Sequence, residues 1–244
     1  MLPRLQRRST AMSAILILSF LGFLACLLFR GATALPWVLA ALSFFSLALA
    51  LLTARMLGNR PGFSANNRPS FLLLLEPLAA LMLAAAAVLR FLSLTGFSRW
   101  FIGFGGLAGA VCMATFSLQL ILGRRPSPLP YMGLTLALIL QIIPEFRSWS
   151  ADPHILDYCF PLFAMLCVLF VSLHLTGFSL DQGKRRVSAF FCMAGIFFCA
   201  VALPGSLADV LTYLSYLMFL SATLWSLMAP SRRRRPRPPV EEVP

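Results

Sequence analysis

Eight long apolar runs dominate this sequence, and each meets or approaches the roughly 20 residues that a helix needs to cross a bilayer. They cover Ala11 to Phe29, Pro36 to Leu52, Phe71 to Leu89, Trp100 to Leu122, Leu129 to Phe146, Ile155 to Phe178, Val187 to Leu203 and Val210 to Ala229. The runs are continuous and rich in Leu and Ala, with no alternation of period two, which predicts helices and not barrel strands. The fold class expected is therefore all-α: a polytopic membrane helix bundle of eight transmembrane helices. It forms a single domain over residues 1–230, followed by a flexible, basic, proline-rich tail over 231–244.

Composition closes off the other classes. With 59% hydrophobic and 11% charged residues and a mean hydropathy of +0.86, a soluble core would have too little polar surface to face water. Soluble enzyme, disordered protein and secreted disulfide scaffold are excluded. The six cysteines lie in or beside apolar runs and no CxxC occurs, so they form no disulfide framework. The net charge of +12 would suggest nucleic acid in a soluble chain. Here the basic residues occupy the gaps between runs, and they report orientation instead.

With the N-terminus inside, the cytoplasmic segments hold Arg4, Arg7 and Arg8, then Arg55, Arg60 and Arg68, then Arg124 and Arg125, then Lys184 to Arg186, and finally Arg232 to Arg235 with Arg237. The opposite face keeps Arg30, Arg90, Arg99 and Arg147, and Glu145, Asp152, Asp157 and Asp209 collect there. Both termini are expected to be cytoplasmic, in a cell (inner) membrane. The fifth run is the weakest, interrupted by Gln141 and Pro144, but removing it would undo the charge asymmetry. The first run resembles a signal peptide in its basic flank and in the A-x-A form at Ala32 to Ala34. Its length and the position of Arg30 favour a retained span.

Local signals mark helix ends and packing faces. Asp152-Pro153 reads as the N-cap and first-turn proline of helix 6, and Ser127-Pro128 repeats the arrangement before helix 5. Ser206 and Asp209 have capping-box spacing before helix 8. Gly105, Gly106 and Gly109 in the fourth run, with Ala80, Ala84 and Ala87 in the third, predict close packing of helices 3 and 4. The spacing leaves open whether the glycine face is internal or a dimer interface. Two internal echoes compete. Phe29-Arg30 through Pro36 matches Phe146-Arg147 through Pro153, in a parallel register of four helices. LTGFS occurs at Leu94 to Ser98 and at Leu175 to Ser179, each followed by CMA, in an inverted register of three.

Polar residues within spans are the default functional candidates. Glu76 lies five residues into the third run from its cytoplasmic side, Gln119 five before Arg124 at the inner end of the fourth, and His174 five before Ser179 in the sixth. A shared layer of this kind would suit ligand or proton binding, with Pro77 kinking helix 3 beside it. The bland alternative starts helix 3 at Pro77 and leaves Glu76 at the headgroups. In the outer loop, Arg147, Trp149, Asp152 and Asp157 form a second candidate, a vestibule for a small polar molecule. Cysteine and methionine gather in helices 6 and 7 without a ligand-dense motif, so no metal is expected. GxSxG, HExxH and Walker A patterns do not occur, which argues against an enzyme and implies no cofactor.

The function this architecture suggests is a small-solute transporter or transport component. The alternative is a membrane scaffold or assembly subunit with no ligand of its own. Expected partners are the lipid bilayer, anionic headgroups at the basic tail, and either a membrane partner or a second copy of the chain; nucleic acid is not among them.

Overall fold

The computed structural model describes residues 2–28, 35–57, 70–93, 96–122, 127–149, 158–180 and 182–228. These form eight helices: α1 (Leu2–Leu28), α2 (Leu35–Met56), α3 (Ser70–Ser93), α4 (Phe97–Ile121), α5 (Pro128–Trp149), α6 (Cys159–Ser179), α7 (Arg185–Ala202) and α8 (Leu207–Met228). Seven of them, α2 to α8, are long and apolar enough to cross a membrane; the apolar part described in α1, Ser13–Leu28, is shorter. The chain is thus a multi-helix apolar bundle of the kind that lipid solvates, because each helix satisfies its own backbone polar groups.

Helix ends follow local chemistry in most places. Pro128 opens α5, where its missing N–H is one that the first turn leaves unpaired in any case. Before α8 the Ser206 hydroxyl accepts from the Asp209 backbone N–H at 3.3 Å, and the Asp209 carboxylate accepts from the Ser206 N–H at 3.1 Å. This reciprocal pair is the capping box that the spacing predicts. Two expectations need correction. Helix α6 begins at Cys159 with Tyr158 as N-cap, not at Ile155. Pro161 falls in its first turn, the place where proline costs least, while Asp152 and Pro153 lie outside the described residues. Helix α3 does not start at Pro77, which lies inside it. Pro144 is likewise internal to α5, as membrane helices tolerate when neighbours re-satisfy the freed carbonyl.

The helices pack in a closed circuit. α3 packs on α4, α4 on α5, α5 on α6, α6 on α7, α7 on α8 and α8 again on α3. α1 and α2 lie against each other and against α7, outside this ring of six. The α3–α4 contact is the most extensive. A Cβ on Gly106 would stand 2.6 Å from the Cβ of Ala87, and one on Gly109 3.5 Å from Leu83. Small residues thus set the backbone separation where apolar burial gives no advantage over lipid. Helix α7, touched by four neighbours, is the most buried span. Its small residues Ala189, Cys192, Ala194, Gly195 and Cys199 are all enclosed. The sulfur concentrated in α6 and α7 therefore serves as compact apolar filling.

Neighbours in the ring run antiparallel, so the bundle has two distinct ends. At one, Arg185 donates from Nε to the Leu227 carbonyl at 2.6 Å, and Arg186 donates to the Leu57 carbonyl at 2.7 Å. The start of α7 thereby caps the last carbonyls of α8 and the end of the α2 segment. The other end carries Arg90.

Candidate functional site

On α3 the buried residues Glu76, Ala79, Ala80, Leu83, Ala86, Ala87 and Arg90 recur at helical spacing and form one stripe. Its alanines admit neighbouring backbones: the Ser215 hydroxyl of α8 donates to the Ala79 carbonyl at 2.7 Å. At the end of the stripe the side chain is not small but cationic. Arg90 reaches into the space between α5 and α8, where one guanidinium nitrogen donates to Glu145 Oε1 and the other to Asp209 Oδ1 at 2.8 Å.

Burial makes this cluster costly. The side chains of Arg90 and Glu145 are 10% and 8% exposed, and that of Asp209 is 37% exposed. Taking a guanidinium and a carboxylate out of water is repaid only by close, well-directed pairing. Asp209 divides its oxygens, giving Oδ1 to Arg90 and Oδ2 to Ser206, so the start of α8 is what aims it. Among the described residues one guanidinium faces two carboxylates here, with Asp209 on the side open to solvent.

The polar surroundings continue inward from Arg90. Gln141, one helical turn before Glu145 on α5, accepts from the Tyr216 hydroxyl at 3.3 Å. Tyr213 and Tyr216 stand edge to face on α8, with ring centroids 6.4 Å apart. The amide nitrogen of the buried Gln141 has no hydrogen-bond partner among the described residues. Gly105 and Gly106 make room for this side chain: a Cβ on Gly105 would come 3.0 Å from Gln141 Cγ, and one on Gly106 3.9 Å from its amide nitrogen. Further along, Phe116, Tyr131 and Phe219 fill the interior, with centroid separations of 5.1 and 5.9 Å. Polar side chains thus gather at one end of the ring and give way to aromatic packing further along.

The residues singled out from sequence occupy separate settings. Glu76 is 2% exposed, on the stripe that ends at Arg90 but about 21 Å from it along the helix. Gln119 clasps the link between α4 and α5, accepting from the Ser127 N–H at 2.9 Å and donating to its hydroxyl at 3.1 Å. His174 lies on α6 with its ring 6.2 Å from that of Phe191 on α7. In the ring, α3 and α6 stand opposite one another. The packing therefore does not gather Glu76, Gln119 and His174 into one layer, because their common depth fixed height and not direction. Gly105, Gly106 and Gly109 meet α3 and α5, which makes that face internal.

Of the outer-loop candidates, Arg147 is exposed near the end of α5 and Trp149 is the last residue of that helix. Asp152 and Asp157 lie outside the described residues, as does the tail over 231–244. Arg90, Glu145, Asp209 and Gln141 were not singled out from sequence. The available signal was facial: Gln141 and Glu145 are spaced i, i+4, and Asp209, Tyr213 and Tyr216 repeat on one face of α8. Among the described residues no group of three His, Cys, Asp or Glu side chains is arranged to hold a metal ion. Compared with known protein families, curated proteins and solved structures, the chain matches none of them, so the buried Arg90–Glu145–Asp209 cluster is the feature that bears most directly on what it does.

Proposed function

We propose that this chain crosses a cell (inner) membrane eight times with both termini cytoplasmic, and that it is a small-solute transport component. The observation that carries the reading is the Arg90–Glu145–Asp209 cluster, set inside an apolar bundle between three helices. An ionisable group within a membrane domain is expensive, and function is the default reason for keeping it. The two carboxylates suit a solute bearing a positive group, which would compete with Arg90 for Glu145 and Asp209. Asp209, the most exposed of the three, is the entry side. Gln141 offers an amide donor further in, before the packed rings of Phe116, Tyr131 and Phe219. Glu76 supplies a further buried carboxylate at the other end of the same α3 stripe.

The test is reconstitution into liposomes on a solid-supported membrane, with charge movement recorded on addition of small amines, amino acids and alkali cations. The expected result is a current with at least one of these probes that Glu145→Gln removes while the protein remains folded. Silence across the panel, together with a tightly held membrane protein in the purified sample, would replace transport by the scaffold reading. One observation favours that rival: α2 is the least buried of the seven spans and exposes Trp37, Phe44 and Phe45.

A further inference from the structure

Between α2 and α6, floored by α7, lies a cleft of about 400 Å³, within the roughly 300–1,000 Å³ typical of ligand sites. Its walls include Leu47, Phe160, Phe163, Phe190 and Phe198. The one hydroxyl on its lining, that of Ser43, is spent on the Leu39 carbonyl at 2.7 Å. Phe163 at the rim is 48% exposed, so the cleft opens sideways out of the bundle. It follows α7 from Phe190 to Phe198, a length of about 12 Å. The narrow, wholly apolar space suits a single flexible chain.

One end of the cleft is basic. Arg186 precedes Phe190 by one helical turn and therefore shares its face. Its bond to the Leu57 carbonyl brings the start of α7 against the end of the α2 segment, two residues beyond Arg55 in sequence. Lys184 is within electrostatic reach of His174, whose ring faces Phe191 on the cleft wall. Arg55, Lys184 and Arg186 are all exposed. We propose that this cleft holds one acyl chain of an anionic phospholipid whose headgroup is bound by Arg55, Lys184 and Arg186. The apolar walls hold the chain, and the basic end selects the headgroup.

The experiment is native mass spectrometry of the full-length protein in detergent, titrated with phosphatidylglycerol or with phosphatidylcholine of the same acyl chains. Phosphatidylglycerol should be retained preferentially. Arg55→Gln and Lys184→Gln should each lower that preference about fivefold, leaving phosphatidylcholine binding unchanged. Ser43→Phe, which blocks the cleft, should lower retention of both lipids; Leu47→Trp replaces it if that variant does not fold. Equal retention of the two lipids by the unmodified protein would overturn the proposal. So would blocking variants that fold and keep their lipid, or that lose a dimer in place of lipid.

Discussion

The two ends of the bundle each bury an arginine, and they use it differently. Arg90 and Arg185 are 8% and 9% exposed. Arg185 turns to the last carbonyls of α8, where the helix dipole and unpaired carbonyl groups favour a cation. Arg90 turns to two carboxylates and holds α3, α5 and α8 together at the start of the same helix. One arginine finishes a helix; the other creates a charged interior that needs all three partners. The same side chain is thus a cap or a site according to what the packing sets opposite it.

The sharpest way to break this contrast is to truncate both. Arg90→Ala leaves the Glu145 carboxyl inside an apolar bundle without Arg90 and should cost about 3–5 kcal/mol, read as a lowered midpoint of thermal unfolding in detergent. The double change Arg90→Met with Glu145→Met should recover most of that loss, because the remaining carboxylate, Asp209, keeps access to water. Recovery of nothing would mean that shape, not charge, holds this end. Arg185→Ala should cost less, about 1.5–3 kcal/mol for a charge-assisted hydrogen bond. Hydrogen exchange should locate the loss in the last turn of α8, while the turn at Asp209 stays protected.

The smallest effects come from the pentapeptide LTGFS, which occurs once at each end. At the Arg90 end its glycine, Gly96, is the N-cap of α4 with φ of 78°. At the Arg185 end Gly177 lies inside α6. A Cβ would meet nothing within 4 Å at Gly96 and only ordinary contacts of 3.7 to 3.9 Å at Gly177. Gly96→Ala should therefore destabilise by about 1–2 kcal/mol through its left-handed backbone. Gly177→Ala should stabilise by about 0.5–1 kcal/mol as a helix-interior replacement. Shifts of the same sign in thermal unfolding would show that the two copies share a conformation in the membrane.

Helix positions were legible because they depend on the chain alone. The run ending at Ile121 or Leu122 and the Ser206–Asp209 box could be read without knowing any neighbour. The site was not legible for the same reason. Arg90 closes an apolar run and looks like an orientation charge, Glu145 looks like a loop acid, and Asp209 is already explained by its cap. Each local reading is adequate and incomplete. Glu76, Gln119 and His174 show the converse, since equal depth in three runs said nothing about which way each side chain points.

By itself the sequence determined that this is a bundle of long apolar helices, and close to where most of them begin and end, α1 at Leu2 and α6 at Cys159 being the exceptions. In lipid, every backbone group must be satisfied within its own helix, so length and apolarity are sufficient information. Apart from the α3–α4 contact, which the small residues announce, only the tertiary structure decided which helices adjoin. Arg90 finds partners 55 and 119 residues away, and no periodicity within a single helix encodes such a meeting. It depends on glycine and alanine letting α3, α4 and α5 approach until buried charges come within hydrogen-bond reach.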